Sequence, residues 1–313
     1  MANASTAQPA LAPVAIFAYN RRDRLEAMFE SLRRTDGFDR TQVTIFVDGP
    51  KREADRAAVD LVRNYVNGLR LPNVRAILSE TNKGLRNSIS AGVTQIVAEH
   101  GRAIVLEDDL VLSPIALTYF NAALNRYADD PRVWSVSGYI SDVPRLRDFP
   151  RALILPYAHS WGWATWDRAW RHFSLDARPR DENFASAAFR RAIDMNGFYP
   201  FRDMLAHSTA GRVNSWYAHW LYTIFRNGGR SIFPPRRVLD NYGISAGTHG
   251  GSLNPHELLV SRPPLLERVP EFEAADEIDY FAVDLLKHCW EARVQRGIAF
   301  AGGIKRRLFG RHR

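Results

Sequence analysis

Ala103-Ile104-Val105-Leu106-Glu107-Asp108-Asp109 is a run of four apolar residues that passes straight into three carboxylates. The apolar part has the length and the β-branched content of a buried strand, whereas three adjacent acids cannot be buried without a partner. A strand that ends in charge sets that charge at a sheet edge. The same grammar recurs upstream. Pro13 precedes Val14-Ala15-Ile16-Phe17-Ala18-Tyr19, which ends at Asn20-Arg21. Val43-Thr44-Ile45-Phe46-Val47 ends in Asp48-Gly49-Pro50, a turn signal, and Val74-Arg75-Ala76-Ile77-Leu78 ends near Glu80 to Lys83. Between these runs the spacing predicts helices. Leu25, Met28, Phe29 and Leu32 recur at helical intervals within Arg24 to Arg34, and Glu53 to Leu69 and Leu85 to Glu99 read the same way.

Nearly all-apolar strands alternating with helices indicate an α/β fold, a mostly parallel sheet with helices on both faces. Sheets of this kind bind ligands beyond the carboxyl ends of their strands, so the four polar strand ends are the site candidates. No GxGxxG or Walker loop occurs, which removes support for a dinucleotide or P-loop site. Beyond about Tyr139 the pattern turns irregular and rich in Trp, Pro, Gly and His. No repeat, low-complexity stretch or linker separates the two halves, so the second is expected to pack onto the first.

Composition narrows the class. A chain of 313 residues, 46% hydrophobic and 24% charged, can bury a sizeable core. Eight Trp and a 12% aromatic share suit a carbohydrate or nucleotide cleft, and suit a large core equally well. The single cysteine, Cys289, excludes an intrachain disulfide and a cysteine-based metal site, which fits a reducing cytoplasm. Met1 to Pro13 does not read as a signal peptide, and no run approaches the roughly 18 apolar residues of a spanning helix. The expectation is a cytoplasmic protein, soluble or peripheral at the inner face of the membrane. Six of the eight net positive charges fall between Arg296 and Arg313, where no acid occurs, so the body of the chain lacks the basic surface of a nucleic-acid binder. That tail alternates apolar and cationic residues. It could lie on an anionic membrane, at about 1 kcal/mol per cation near the surface, or be a solvated terminus.

The acidic triplet permits specific chemistry. Hard, oxygen-ligated Mn²⁺ or Mg²⁺ is held by one or two carboxylates plus substrate phosphates, and acts on a diphosphate as Lewis acid and template. The bland alternative is a solvated acidic turn. Asp48 could accept a hydrogen bond from a base or ribose, or simply close a turn before Gly49. Asn82-Lys83-Gly84 could set a cation and amides near phosphate, or lead a loop into a helix. Trp163, Trp166 and Trp170 sit three and four apart, a helix-face spacing that usually means core packing. Trp161 and Trp163, beside Gly162, are candidates to stack on a sugar.

Pro13 to Pro114 resembles the nucleotide-binding half of GT-A (Rossmann-like) glycosyltransferases, with Glu107-Asp108-Asp109 in the place of their DXD motif. The closer resemblance is to the N-acetylglucosaminyltransferase I type and related bacterial surface-glycan transferases. Ser160-Trp161-Gly162-Trp163-Ala164-Thr165-Trp166 resembles their Gly-Trp segment, and Asn241 to Gly250 their late glycine-rich stretch ending in Ser/Thr-His-Gly. The resemblance implies one GT-A domain over 13–251, with a nucleotide-binding half at 13–114 and an acceptor and donor-sugar half at 115–251. A C-terminal helical extension with the basic tail would follow at 252–313. It further implies Asp109 as metal ligand with His249 near it, and Glu107 and Asp108 on ribose and nucleotide. Ala18, Tyr19, Asn20, Arg21 and Asp48 would hold base and ribose. Trp161, Gly162 and Trp163 would lie at the donor-sugar and acceptor side, with Lys83, from its own loop, the candidate cation by the phosphates.

The implied activity is metal-dependent, inverting transfer of a hexosyl or N-acetylhexosaminyl group. The donor would be a nucleotide-diphosphate sugar, UDP-linked, and the acceptor a glycan or lipid-linked glycan in polysaccharide biosynthesis. The family places its catalytic acid in a Trp-rich helix start, resembled by Asn214 to Trp220, where this chain has no Asp or Glu. His219, whose ordinary pKa is about 6.5, could take the proton there, with Asp240 and Asp203 as reserves. Two other classes compete. A nucleotidyltransferase would show a glycine-rich phosphate loop after the first strand, and Ala18-Tyr19-Asn20-Arg21 has no glycine. A non-catalytic carbohydrate-binding protein would keep the fold without the base.

Overall fold

The computed structural model describes residues 10–242 and 264–289. The first half follows the sequence pattern closely. β1 (Val14–Ala18), α1 (Arg22–Arg33), β2 (Val43–Val47), α2 (Arg56–Gly68), β3 (Val74–Leu78), α3 (Leu85–His100) and β4 (Arg102–Glu107) alternate along the chain. Residues Glu53–Asp55 form a separate 3₁₀ turn rather than the start of α2. α1 buries Leu25, Met28, Phe29 and Leu32 against the sheet, each contributing about 1.5–3 kcal/mol.

The strand order is β3-β2-β1-β4, all parallel, so the chain steps outward from β1 to β3 and returns through α3 to β1's other side. This reversal leaves the carboxyl ends of β1 and β4 diverging into loops on opposite sides, which opens a crevice between them. The register Phe17↔Glu107 fixes the triplet beside the end of β1.

The second half does pack onto the first, and it does so by extending the same sheet. β5 (Leu110–Leu112) and α4 (Ala116–Arg126) lead to β6 (Val133–Ser137) and β7 (Leu153–Leu155), then to β8 (Trp163–Trp166) with the single turn α5 (Asp167–Trp170). α6 (Asp181–Ala185), α7 (Ala187–Ile193), α8 (Phe201–Thr209) and α9 (Trp216–Arg226) follow, then β9 (Arg230–Phe233), β10 (Leu239–Asn241) and, after the undescribed residues, α10 (Tyr280–Lys287). The sheet continues β4-β8-β6-β9-β7. β8 runs antiparallel between β4 and β6, so β6 and its parallel partner β9 point the same way as β4. The carboxyl ends of β1 to β4, β6 and β9 therefore share one edge, and β7 and β8 run the other way.

The tryptophan run is core, as its spacing predicts, but the spacing is not helical. Trp163 and Trp166 lie on strand β8, where residues three apart face opposite sides. Trp163 enters the layer with Trp170, Trp216 and Trp220, and Trp166 the layer on the sheet's other face with Leu124 and Ile104. The boundary expected after residue 251 falls within 243–263, outside the described residues, as does the basic tail. Of the expected C-terminal extension, 264–289 is docked on the sheet edge. Asp279 takes both terminal nitrogens of Arg151 at 2.8 and 2.7 Å and the amide of Ile154 at 2.8 Å, and α10 buries Ala282, Val283 and Leu286.

Candidate active site

The crevice between β1 and β4 is where the charge collects. Glu107 closes β4, and Asp108-Asp109 form a two-residue turn into β5. Arg21, the residue before α1, reaches across from the end of β1. One of its terminal nitrogens donates to Asp108 Oδ1 and, at 3.0 Å, to Asp109 Oδ2. Two carboxylates thus converge on one cationic point. The Asp108 and Asp109 side chains are only 4% and 11% exposed, and the Arg21 guanidinium is their cationic partner there. Burial raises the Glu107 carboxyl to about 8, with Asp109 and Asp108 adding to the effect. Burial likewise raises Asp108 to about 6, against the pull of Arg21. The triplet is starved of positive charge.

β10 closes the crevice from the second half. It pairs antiparallel with β5, Asn241 opposite Leu110 and Asp240 opposite Val111. Asn241 Nδ2 donates to Asp109 Oδ1 at 3.3 Å, and the Tyr242 amide donates to the Asp109 carbonyl at 2.8 Å. This position depends on two glycines. Leu239 of β10 packs where side chains at Gly138 and Gly162 would stand, its Cδ2 2.1 Å from the point a Gly162 Cβ would occupy. Gly162 also has φ +54. Gly162, expected at the donor sugar, therefore serves first to seat β10 against the triplet. Sequence reasoning gave Asn241 no role. Its only signal was its place at the head of the glycine-rich stretch.

On the other flank an open cleft of about 400 Å³ lies over the ends of β2 and β3, lined by Phe46, Asp48, Ile77, Ser79, Lys83 and Gly92 among others. Asp48 does not offer itself to a ligand. Its Oδ1 accepts the amides of Gly49 (2.9 Å) and Lys83 (2.8 Å), and its Oδ2 accepts Asn82 Nδ2 (3.1 Å) and the Gly84 amide (2.8 Å). Four donors use the carboxylate's roughly four lone-pair directions, so it clamps the β3–α3 loop to the end of β2. Gly49 is required by the same closure: a Cβ there would stand 2.5–2.8 Å from the backbone of Glu80 and Thr81. Tyr19 is also a brace. Its hydroxyl donates to Asp55 Oδ2 and accepts the Lys51 amide, both at 3.0 Å. Ala18 accepts the Asp48 amide through its carbonyl. Asn20 stands half-exposed between Tyr19 and Arg21. Lys83 is exposed on the cleft wall, its amide held and its ammonium outward.

The acceptor side departs most from expectation. Trp163 is 1% exposed and stacked on Trp216 at 5.1 Å, so it belongs to the core and presents no face to a sugar. Trp161 remains half-exposed, set edge-on to Tyr139 at 4.6 Å and beside His159 at 5.1 Å. Burial pushes His159 down to about 3, which leaves the ring neutral. His219 is 1% exposed and has both nitrogens engaged, Nε2 with Ser208 Oγ at 3.1 Å and Nδ1 with the Ala177 carbonyl at 3.2 Å. A carbonyl only accepts, which assigns a proton to Nδ1, while the single proton of the Ser208 hydroxyl lies between Nε2 and the Ser215 carbonyl, each at 3.1 Å. Burial lowers its pKa as well. His219 is a buried strut tying α9 to α8, shut away from a substrate proton. Asp203 is an exposed first-turn residue of α8 paired with Arg202 at 2.8 Å. Asp240 is 5% exposed, one residue from the Asp109 contact, with Arg237 at 3.4 Å. His249 lies outside the described residues.

Among the described residues no three acidic, His or Cys side chains form a ready metal cage. The donor set fits Mn²⁺ or Mg²⁺ nevertheless. Asp108 and Asp109 are hard oxygen ligands already drawn to one cation, and such ions are commonly held by one or two carboxylates with substrate phosphates completing the shell.

Among solved structures, the mannosyltransferase PcManGT from Pyrobaculum calidifontis in complex with GDP-Man and Mn²⁺ aligns at 15% identity and TM-score 0.40, over 74% of this chain and 56% of that one. GalNAc-T7 with UDP, GalNAc and Mn²⁺ aligns at 13% identity and TM-score 0.43, over 73% and 43%. The chain thus spans about half the length of these two proteins. An active-site mutant of LgtC aligns at 12% identity and TM-score 0.34, over 70% and 72%. No curated protein matches the chain. Residues 14–196, more than half of the chain and the whole run from β1 through β8, match the sequence model of glycosyl transferase family 2, and the chain belongs to that family.

Proposed function

We propose that the protein transfers a hexosyl or N-acetylhexosaminyl group from a UDP-linked sugar to a hydroxyl of a glycan or lipid-linked glycan, inverting the anomeric carbon and using Mn²⁺ or Mg²⁺. The observation that carries this reading is the convergence of Asp108 and Asp109 on one cation position at the β1–β4 crevice. A cleft bearing Lys83 lies on one side of it and Asp240 on the other. Asp109, with Asp108 beside it, would hold the metal, which supplies charge neutralisation for the departing diphosphate. Lys83 adds a flexible positive charge on the cleft wall. Asp240 is the base: it takes the acceptor hydroxyl's proton as the oxygen attacks the anomeric carbon and the nucleoside diphosphate leaves. General-base help of this kind is worth about 10²–10⁴-fold. A role in surface-polysaccharide assembly, with the basic tail at an anionic membrane, completes the reading. Among the described residues no helix is long and apolar enough to cross a membrane.

A thermal-shift screen of nucleoside diphosphates with and without Mn²⁺ tests the donor half. Protection by one nucleotide, enhanced by Mn²⁺ and lost in Asp109→Ala, is the expected result. Equal protection of that variant would contradict the metal assignment. For the base, Asp240→Asn should lower kcat at least about a hundredfold with nucleotide binding retained. No Mn²⁺-dependent release of nucleoside diphosphate from any sugar donor would sink the catalytic reading.

A further inference from the structure

Beyond the carboxyl ends of β6 and β9, across the acidic turn from the Lys83 cleft, lies a second, partly open cavity. Ser141, Asp142, Arg147, Arg236 and Arg237 give it its polar lining. The space a water-sized sphere can enter is only about 10 Å³, room for a single oxygen of a substituent group held at the cavity's mouth and not for a whole ligand. Three guanidinium groups here face one carboxylate. Arg147 is committed to Asp142 through two bonds, Nε to Oδ1 at 2.8 Å and Nη2 to Oδ2 at 2.6 Å. Arg237 lies 3.4 Å from Asp240. Arg236 differs from both in having, among the described residues, no carboxylate partner, and its buried Nε has no hydrogen-bond acceptor.

A guanidinium stays charged at any accessible pH, so a buried donor on it without an acceptor is a standing cost. A ligand that brings an oxyanion would remove the cost, and a planar or tetrahedral oxyanion matches the guanidinium fork. We infer that this cavity binds an anionic group of the acceptor, a phosphate or a carboxylate, with Arg236 as its anchor. The inference rests on the proposed transferase reading for the word acceptor, and on the cavity alone for the anion. It sets specificity: Asp240, the proposed base, holds Arg237 on the wall of the same cavity, so an anchored acceptor is delivered beside it.

The test titrates methyl phosphate, glucuronate and neutral methyl glucoside calorimetrically into the full chain, with and without saturating UDP. One of the two anions should bind, UDP should not compete, and the neutral sugar should bind at least tenfold more weakly. Binding of methyl phosphate assigns a lipid-linked phosphate as the anchored group, and binding of glucuronate an acidic sugar. Arg236→Gln should weaken the anion by about 10- to 100-fold, the range for hydrogen bonds to charged groups, and leave UDP binding unchanged. Arg236→Lys should recover part of the loss. The inference is overturned if neither anion binds, if Arg236→Gln binds as tightly as wild type, or if UDP displaces the anion, which would place it in the donor cleft. Failure of UDP itself to bind would instead count against the donor site and leave the anion result standing.

Discussion

Arg21 makes the sharpest demand on the proposed site, because it occupies the point where a metal would bind. Its guanidinium holds Asp108 and Asp109 together, and the three side chains are 29%, 4% and 11% exposed. Removing one partner of a buried pair costs about 3–5 kcal/mol, and the partial exposure of Arg21 brings that to about 2–3 kcal/mol here. Arg21→Gln at pH 8, where Asp108 is ionised, should therefore unfold more easily in urea by that amount when no metal is present. The same free energy works against Mn²⁺ in the wild type, since the ion must displace the guanidinium to reach its ligands. The variant presents the carboxylates already unpaired. At about 1.4 kcal/mol per factor of ten, it should bind Mn²⁺ without nucleotide about 30- to 150-fold more tightly than wild type. Titration followed by the electron paramagnetic resonance of free Mn²⁺ reads this directly, with circular dichroism to establish that the variant is folded. Mn²⁺ affinity in folded Arg21→Gln equal to or weaker than wild type would refute the reasoning, because the carboxylates would then not be the ligands that Arg21 occupies.

Gly162→Ala should destabilise the fold by about 2–4 kcal/mol in chemical unfolding, since its Cβ meets Leu239 and its backbone is left-handed; a loss under 0.5 kcal/mol would mean β10 is not seated on that glycine. His219→Asn should lower the melting temperature and leave the pH dependence of kcat in place, whereas disappearance of an ionisation near neutrality would restore His219 as the base. Metal-free stability should fall as pH rises from about 5 to 8. Glu107 and Asp108 are raised above their ordinary values, so the folded state binds more protons than the unfolded one through that window. Saturating Mn²⁺ should flatten the slope, and a metal-free stability that instead rises across the window would contradict the placement of the triplet.

The parallel half of the sheet was legible because each strand is a short apolar run ended by polar residues, and each intervening helix carries its own period. Those are local signals, read within a dozen residues. β8 was not legible in the same way. Trp163 and Trp166 are buried on both faces of a strand held between β4 and β6, and a strand buried on both sides loses the alternation that identifies it. Three tryptophans at intervals of three and four then imitate a helix face. Their burial could be predicted from residue type, but their element depends on partners more than twenty residues away.

The site divides along the same line. Sequence position put Glu107, Asp108 and Asp109 at a strand end, and the strand order confirms where that end points. It could not say how many partners a polar side chain would already have. Asp48 and His219 are the instructive pair, each with the chemistry for its expected role and each consumed by the fold. Asp48 spends four hydrogen bonds on a loop, and His219 spends its nitrogens on Ser208 of α8 and on the Ala177 carbonyl of a loop. Asp240, a reserve in the sequence reading, is placed beside the triplet by long-range pairing, its Oδ1 accepting the Asn241 amide at 3.0 Å and Arg237 lying 3.4 Å away. β10 reaches Asp109 only because it crosses some 130 residues to lie on β5, as the Asn241–Asp109 contact records. Functional availability in this protein is thus a property of what remains after the backbone and the core have taken their hydrogen bonds. By that measure the proposed reactive surface is the arc from Lys83 through Arg21 and Asp109 to Asp240 and Arg236, where the carboxyl edge of the large sheet meets the β5–β10 pair.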